Sequence, residues 1–340
     1  MRWIDLRSDT VTLQPQSMRD AMYNAEVGDD VYEDDPTMRE LEVLAANIVG
    51  KEAAAFVCSG TMGNQLAIMS QTNRGDQIIV GSNAHIVVHE VGAAAVLSGV
   101  NLKTVSNRND WIYPDDIIKQ NTPDDIHMPR TSLLCLENAL ANGTVVSLYN
   151  MKKCYQTAKQ LGLNIHLDGA RIFNAAQYLG CDVKEIAQYT DSVMFCLSKG
   201  LCAPVGSILA GNRNFIKTVK RNRKMIGGGL RQSGYLGACG IIALNDMTKR
   251  LEEDHQNAQF LATELSQLES IEVNLESVQI NMVFFDIKKP NFDHDAFNQY
   301  LLDNGIKSGG YSSDGYRFVT HYGITRQDIE TTINVIKNYL

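Results

Sequence analysis

Three short stretches of the 340-residue sequence combine residue types that could do chemistry together. Ser59-Gly60-Thr61-Met62-Gly63-Asn64 follows an apolar run and opens a helical pattern. Glycines there permit close backbone approach, and the free N–H groups of a helix start attract an anion. Asp168-Gly169-Ala170-Arg171 ends a second apolar run. An Asp in that place can pair with a buried cation, and an Arg can hold a carboxylate through two parallel hydrogen bonds. Ser198-Lys199-Gly200 ends a third run, and a lysine emerging from an apolar strand offers a nucleophilic amine. Taken singly, each has an ordinary alternative: a strand-to-helix turn, a surface Asp–Arg pair, a lysine that reaches solvent. Together, an anion cradle, a strand-end Asp and a strand-end Lys are the parts that hold pyridoxal phosphate. The lysine forms a Schiff base with the aldehyde, the helix start receives the phosphate, and the carboxylate keeps the pyridine nitrogen protonated so that the ring accepts electrons.

These residues need elements that bring strand ends to one place. Short apolar runs at 54–58, 77–80, 133–136, 163–167, 192–197 and 207–210 read as strands. Helical patterns at 38–49, 63–71 and 150–161 lie between them. Strands alternating with helices imply a mostly parallel sheet covered on both faces, with ligands outside the carboxyl ends of its strands. Beyond Gly227–Gly229 the texture changes. One long helix is expected over 237–268, holding Glu252, Glu253 and Asp254, then a strand at 279–287, a helix at 293–302, a strand at 316–319 and a last helix from Thr325. The expected division is a large cofactor domain over 1–245, with segment 1–15 near the active site, and a small α+β domain over 246–340.

In sequence order, Asp5–Thr12 (DLRSDTVT), Gly28–Thr37 (GDDVYEDDPT), Ser59–Asn64 (SGTMGN), His166–Arg171 (HLDGAR), Ser198–Gly206 (SKGLCAPVG), Gly227–Gly234 (GGGLRQSG) and Arg317–His321 (RFVTH) span nearly the whole chain. This set resembles the low-specificity L-threonine aldolases, within the aromatic amino acid β-eliminating lyase/threonine aldolase group. The resemblance implies the aspartate aminotransferase-like architecture, fold type I, with pyridoxal 5'-phosphate as cofactor. It implies retro-aldol cleavage of L-threonine and L-allo-threonine to glycine and acetaldehyde. By resemblance Lys199 is the Schiff-base lysine, Asp168 the partner of the pyridine nitrogen and His85 the imidazole stacked on the ring. Ser59, Gly60 and Thr61 receive the phosphate, and Arg171 also joins the cofactor contacts. Ser8, Arg171 and Arg317 hold the substrate α-carboxylate. Lys224 and Arg231 reach a neighbouring subunit's site in a homotetramer, a dimer of dimers with sites at the dimer interface.

The chain departs from the group at one place. Many members carry a histidine at the last position of an E-N-x-H block near the substrate hydroxyl, whereas here the block is Glu137-Asn138-Ala139-Leu140. Leucine cannot accept a proton, and His89 stands where relatives commonly carry an aromatic residue. His89, or a water held by His85, is therefore expected to take the hydroxyl proton, or the substrate preference is altered. A related lyase, acting by β-elimination or on bulkier β-hydroxy amino acids, is the alternative activity. A cofactor-binding protein without turnover is the alternative from another class, against which the intact Lys199, Asp168, Arg171 and Arg317 set argues.

Composition narrows the rest. Thirty-one basic and 39 acidic residues give a net charge of −8, so no field gathers nucleic acid or anionic lipid. No apolar stretch is long enough to span a bilayer, the start lacks a signal-peptide pattern, and a cytoplasmic protein is expected. Seven cysteines without a C-x-x-C indicate neither a zinc cage nor a disulfide framework, and no metal is expected. His89-Glu90 begins like H-E-x-x-H, but Ala93 fills the second histidine's place. The acids of 26–35 do not follow EF-hand spacing, and are expected in a solvated turn or, as the resemblance favours, a subunit contact. Cys58 and Cys202, beside the expected site loops, are read as structural.

Overall fold

The computed structural model describes residues 2–106 and 110–340. Met1 and residues 107–109, within the range expected for the large domain, lie outside the described residues. The chain opens with a two-residue strand, β1 (Ile4–Asp5). Seven strands then form the main sheet: β2 (Ala53–Val57), β3 (Gln77–Gly81), β4 (Asn101–Val105), β5 (Thr131–Glu137), β6 (Asn164–Asp168), β7 (Ser192–Cys196) and β8 (Ser207–Gly211). Their spatial order is β2-β8-β7-β6-β5-β3-β4, and only β8 runs against its neighbours. β7 and β8 are buried along their whole length, as expected of strands covered by helices on both faces. β4 has no apolar run to mark it in the sequence because it is an edge strand, with polar, exposed Asn101, Lys103 and Thr104.

Local signals explain the helices around the sheet. The first helix, α1, spans Gln16–Tyr23. In α2 (Pro36–Val49), Asp35 caps the start by accepting from Met38 N at 2.9 Å, proline occupies the first turn, and Gly50 ends the helix at φ +67°. In α3 (Gly60–Gln71), Ser59 Oγ accepts from Met62 N at 3.1 Å. This helix starts three residues before the expected 63–71, because the cap is Ser59 itself. Gly63 is needed there for space: a Cβ would sit 2.5 Å from Met194 Cγ on β7.

The region after Gly229 differs from expectation in one respect. The long helix expected over 237–268 is two helices, Gly234–Asn245 and Leu251–Ser266, separated by a 3₁₀ turn at Met247–Arg250. Asn245 and Asp246 favour helix ends over helix interiors. Glu252, Glu253 and Asp254 then lie in the first turn of the second helix, where acidic side chains suit the helix dipole.

A second sheet has four antiparallel strands in the order β12-β13-β10-β9, formed by β9 (Ile271–Val273), β10 (Met282–Ile287), β12 (Tyr311–Ser312) and β13 (Gly315–Val319). The remaining strand, β11 (Ile306–Lys307), pairs in parallel with β1. Two cores result. One packs the main sheet against its helices, and the other joins Ile4 and Leu6 to Leu261, Phe285, Phe297 and Phe318. The first residues therefore belong to the same core as the last.

The acidic stretch 26–35 is only partly solvated: Glu26, Glu33 and Asp34 are exposed, Asp30 and Asp35 are not. Asp30 is buried and pairs with Arg223 at 2.7 Å and Arg39 at 3.1 Å. Asp35, also buried, caps α2 and accepts from Gly234 N at 2.8 Å. These two acids stabilise contacts inside the chain, which corrects the expectation of a solvated turn for them. Among the described residues, no helix is long and apolar enough to cross a membrane.

Candidate active site

Three adjacent parallel strands aim their carboxyl ends at one cleft. Glu137 ends β5 and stands beside Asp168, the last residue of β6, in the strand register. Lys199 follows the end of β7 by three residues, half-buried in a turn where Cys202 N donates to Lys199 O at 2.9 Å. Cys202 is buried at φ +67°, and burial pushes its thiol up to about 12, which suits the structural role expected of it. Cys58 is half-buried and unpaired.

Asp168 is held from two sides. Ala170 N donates to Oδ1 at 3.1 Å, and Asn64 Nδ2 donates to Oδ2 at 2.7 Å. Asn64 is itself oriented by His166, whose Nε2 lies 3.0 Å from Asn64 Oδ1. Burial lowers the pKa of His166 to about 4, so its ring is neutral at physiological pH. A neutral ring donating from Nε2 to Asn64 takes the Ser192 hydroxyl at Nδ1, 2.9 Å away. The tautomer therefore fixes the amide, and the amide fixes the carboxylate. Arg171, three positions after Asp168, does not pair with it: its partner is Asp9, through Nε at 2.8 Å and Nη2 at 2.6 Å.

His85 lies at the start of a one-turn helix, α4 (His85–Val88). Its Nδ1 is 2.8 Å from Glu90 Oε1, and this hydrogen bond raises its pKa despite partial burial. Glu90 is buried and also accepts from Asn64 Nδ2 at 2.7 Å and Gln65 Nε2 at 2.6 Å. Glu137 Oε2 accepts from His85 N at 2.9 Å. Burial and then the charge of Asp168 push Glu137 well above the usual carboxylate range. His85, Glu90 and Asp168 offer ligand atoms within 4.8 Å of one another, a spacing compatible with a metal, but Asn64 Nδ2 already bridges the two carboxylates.

This donor set fits pyridoxal phosphate. Acidic groups outnumber cations at a buried strand end, which suits a protonated ring nitrogen next to Asp168. Ser59 caps Met62 N, while the first-turn N–H groups of Gly60 and Thr61 have no intrahelical partner and can receive a phosphate. Gly60 keeps that cradle close to the sheet, since a Cβ would lie 3.1 Å from Cys196 Sγ and 3.3 Å from Met194 Cε.

A second wall, beginning at Arg171 three residues past Asp168, carries the two arginines. Arg317, on β13, donates from Nη2 to Arg7 O at 3.3 Å. Partial desolvation and the neighbouring Arg171 charge both lower its pKa, so the two cations share one region. Ser8 Oγ caps a short turn by accepting from Thr10 N at 3.2 Å. A cavity of about 670 Å³ is lined by His89, Glu137, Leu140, Asp110, Phe284 and Arg317 among others, while Asp168, Lys199, Arg171 and His85 lie outside its lining. Leu140 thus faces the same cavity as His89, whose ring centroid is 5.4 Å from that of His85.

Lys224 and Arg231 stay outside this cluster. Lys224 is exposed in the last turn of the helix Arg213–Met225, and Arg231 is exposed and pairs with Asp29 at 2.9 Å. Conversely, Asp9, Asn64, Glu90 and Glu137 belong to the site without having been assigned a role from sequence. Each sits inside or beside a quoted block, but a buried carboxylate is recognisable only once its partners are known.

Residues 5–288 match the Beta-eliminating lyase family. Low-specificity L-threonine aldolase 1 of Arabidopsis thaliana is 42% identical over 341 residues, covering 98% of this chain and 95% of the relative. The low specificity L-threonine aldolase of Escherichia coli (strain K12) is 44% identical over 327 residues, covering 96% of each. The chain belongs to the β-eliminating lyase family, among its threonine aldolases. Solved structures agree on the fold. The threonine aldolase of Leishmania major superposes with a TM-score of 0.83 at 20% identity, covering 99% of each chain. The serine palmitoyltransferase of Sphingomonas wittichii superposes with a TM-score of 0.78 at 15% identity, covering 99% of this chain and 86% of that one. A β-eliminating lyase of this group has fold type I, and the main sheet with its single reversed strand β8 is the part that carries Asp168 and Lys199.

Proposed function

We propose that the protein cleaves L-threonine and L-allo-threonine to glycine and acetaldehyde, as an aldehyde-lyase with pyridoxal phosphate as cofactor. The observation that carries this is the convergence of two sets of side chains: Asp9, the partner of Arg171, feels the Lys199 charge, and Arg317 feels those of Arg171 and Asp9. Strand-end Asp168 and Lys199 suit the cofactor, and the paired Arg171 and Arg317 suit an amino acid carboxylate. The names of the relatives support the same substrate. When bound, the cofactor supplies the electron sink that lets the Cα–Cβ bond break.

The chain's residues do the rest. Lys199 anchors the cofactor through its amine, Asp168 holds the ring nitrogen, Ser59, Gly60 and Thr61 receive the phosphate, and His85 stands beside the ring. Ser8, Arg171 and Arg317 hold the α-carboxylate and so set which bond at Cα is presented to the ring. His85 shares its Nδ1 proton with Glu90, leaving Nε2 free to hold a water. His89 lines the cavity and takes the β-hydroxyl proton in place of the histidine that Leu140 replaces. Leu140 and the cavity of about 670 Å³ also favour a second reading, cleavage of bulkier β-hydroxy amino acids at the same site.

The active form in this proposal is a homotetramer with sites at the dimer interface. Exposed Tyr23 (87%), Tyr32 (77%) and Val91 (97%), together with the outlying Lys224 and Arg231, support such an interface. Seven free cysteines suit a reducing cytoplasm.

The test is the visible absorbance of the holoenzyme, followed through additions of glycine and then threonine, with acetaldehyde and glycine measured as products. A band that Lys199→Ala abolishes together with activity is expected. A band and activity that both survive in Lys199→Ala would sink the proposal, and a keto acid with ammonia from threonine would convert it to β-elimination.

A further inference from the structure

The three residues assigned to the substrate carboxylate meet in one short stretch of chain. Arg317 Nη2 donates to the carbonyl of Arg7 at 3.3 Å. Ser8 Oγ lies 3.5 Å from Asp9 Oδ1. Arg171 donates from Nε and Nη2 to the two oxygens of Asp9. Residues 7–9 therefore touch every one of these groups, although Arg171 lies in the turn after β6 and Arg317 on the second sheet.

Asp9 is fully buried, and its Arg171 partner is largely so. The Arg171 guanidinium and then the more distant Lys199 charge hold its carboxyl far below the usual range, so it is ionised. Asn281 Nδ2 reaches Asp9 Oδ2 at 3.4 Å and the Thr320 carbonyl at 2.8 Å, tying the carboxylate to the second sheet. On the other side Asn174 Nδ2 lies 3.5 Å from Asn281 Oδ1 and 3.1 Å from His255 Nε2. The segment is clamped as well by its backbone. Leu6 N donates to Lys307 O and Val319 N donates to Leu6 O, each at 2.9 Å, and His321 Nε2 lies 2.9 Å from Asp5 O.

A bidentate pair fixes the plane of a guanidinium as well as its position. Asp9 takes the Nε–Nη2 edge, and among the described residues Arg171 Nη1 makes no hydrogen bond to protein. We propose that Asp9 is the positioning residue for substrate-carboxylate recognition, holding Arg171 so that Nη1 is presented to the α-carboxylate. Asp9 touches no reacting atom and acts through Arg171. The inference rests on the site assignment made above for Arg171.

The experiment compares two amines on the holoenzyme, glycine and methylamine, titrated by the cofactor's visible absorbance. They differ by the carboxylate alone. Asp9→Asn is expected to raise the Kd of glycine by about tenfold to a hundredfold while leaving that of methylamine unchanged. In threonine cleavage the same variant raises KM more than it lowers kcat. A purely structural role for Asp9 would weaken both amines alike, and that result, or an unchanged glycine Kd, would overturn the proposal. The double variant Asp9→Asn/Arg171→Gln removes both buried charges, and so remains informative where the single charge deletion unfolds the protein. It is expected to bind glycine no worse than Arg171→Gln alone, and additive losses would refute action through Arg171. If Arg171→Gln itself keeps the full preference for glycine over methylamine, the carboxylate assignment falls and the proposal with it. If Arg171→Gln loses that preference while Asp9→Asn keeps it, only the proposal falls.

Discussion

Asp168, Glu137 and Lys199 reach the cleft from three neighbouring strands of one sheet, whereas Asp9, Arg171 and Arg317 come from a starting segment, a post-strand turn and a second sheet. The first wall is fixed by strand register: Glu137 and Asp168 are direct neighbours in the ladder. The second is fixed by side-chain and backbone bonds across sequence separations of 162 and 310 positions. A neutral histidine backs each wall. His166 orients Asn64 behind Asp168, and His255 orients Asn174 behind the Asn281–Asp9 contact. One wall is thus set locally by the sheet, and the other only when distant parts of the chain meet.

The comparison can be broken from either side. The largest effect is expected on the sheet side: Asp168→Ala should lower kcat/KM for threonine by about 10³-fold and weaken cofactor retention, read from the cofactor absorbance after gel filtration. Cleavage within tenfold of the unaltered enzyme, an order-of-magnitude bound, would deny Asp168 its role. Next come the two histidines, both lowered to about 4 by burial. The unfolded chain binds these protons more readily, so each histidine's contribution to stability is complete above the unfolded pKa of about 6.5 and is lost as pH falls through 4. Each accounts for about 3 kcal/mol over that window, measurable as the fall in urea unfolding free energy between pH 7 and pH 4. His255→Gln should remove its share of that fall, and an unchanged slope would mean the histidine is not buried neutral.

A smaller effect is expected on the arginine side. Arg317→Gln should raise KM for threonine by about tenfold or somewhat more, with cofactor absorbance unchanged, because a charge-assisted hydrogen bond is lost there and nothing is lost at the sheet. Loss of cofactor in that variant would mean that the two walls are not separable. The smallest expected change is at the cavity. His89→Ala should lower kcat for threonine and allo-threonine by about tenfold, with the glycine Kd unmoved. Unchanged kinetics would remove His89 from proton transfer.

The difference between the walls also explains what could be read from sequence. A strand-end position is a local property, so Asp168 and Lys199 stand out from the apolar runs before them. The main strands were legible for the same reason, except polar β4 at the edge. Asp9 lies in a quoted block with no role attached, since its partner Arg171 is 162 positions away and nothing local marks the pair. Glu90 was visible only as part of a failed zinc pattern, and its burial between Asn64, Gln65 and His85 is a tertiary fact. The acids of 26–35 read as a solvated turn or a subunit contact because isolated carboxylates usually stay at the surface of a chain; Arg223 and the start of α2 put two of them inside. The break at 246–250 is hidden in the sequence because apolar periodicity runs across it, while Asp246 ends one helix and Glu252–Asp254 begin the next.

The parallel pairing of β1 with β11 has a consequence for synthesis. Segment 4–9 is made about 300 residues before the backbone groups it needs, at residues 305–307 and 317–321. At about 5–20 residues per second, that leaves the segment without its partners for roughly 15 to 60 seconds. The main sheet can collapse in the meantime, since its strands end at Gly211. A nascent chain stalled before residue 300 can therefore possess Asp168 and Lys199 in place and still have no means of gripping an amino acid by its carboxylate.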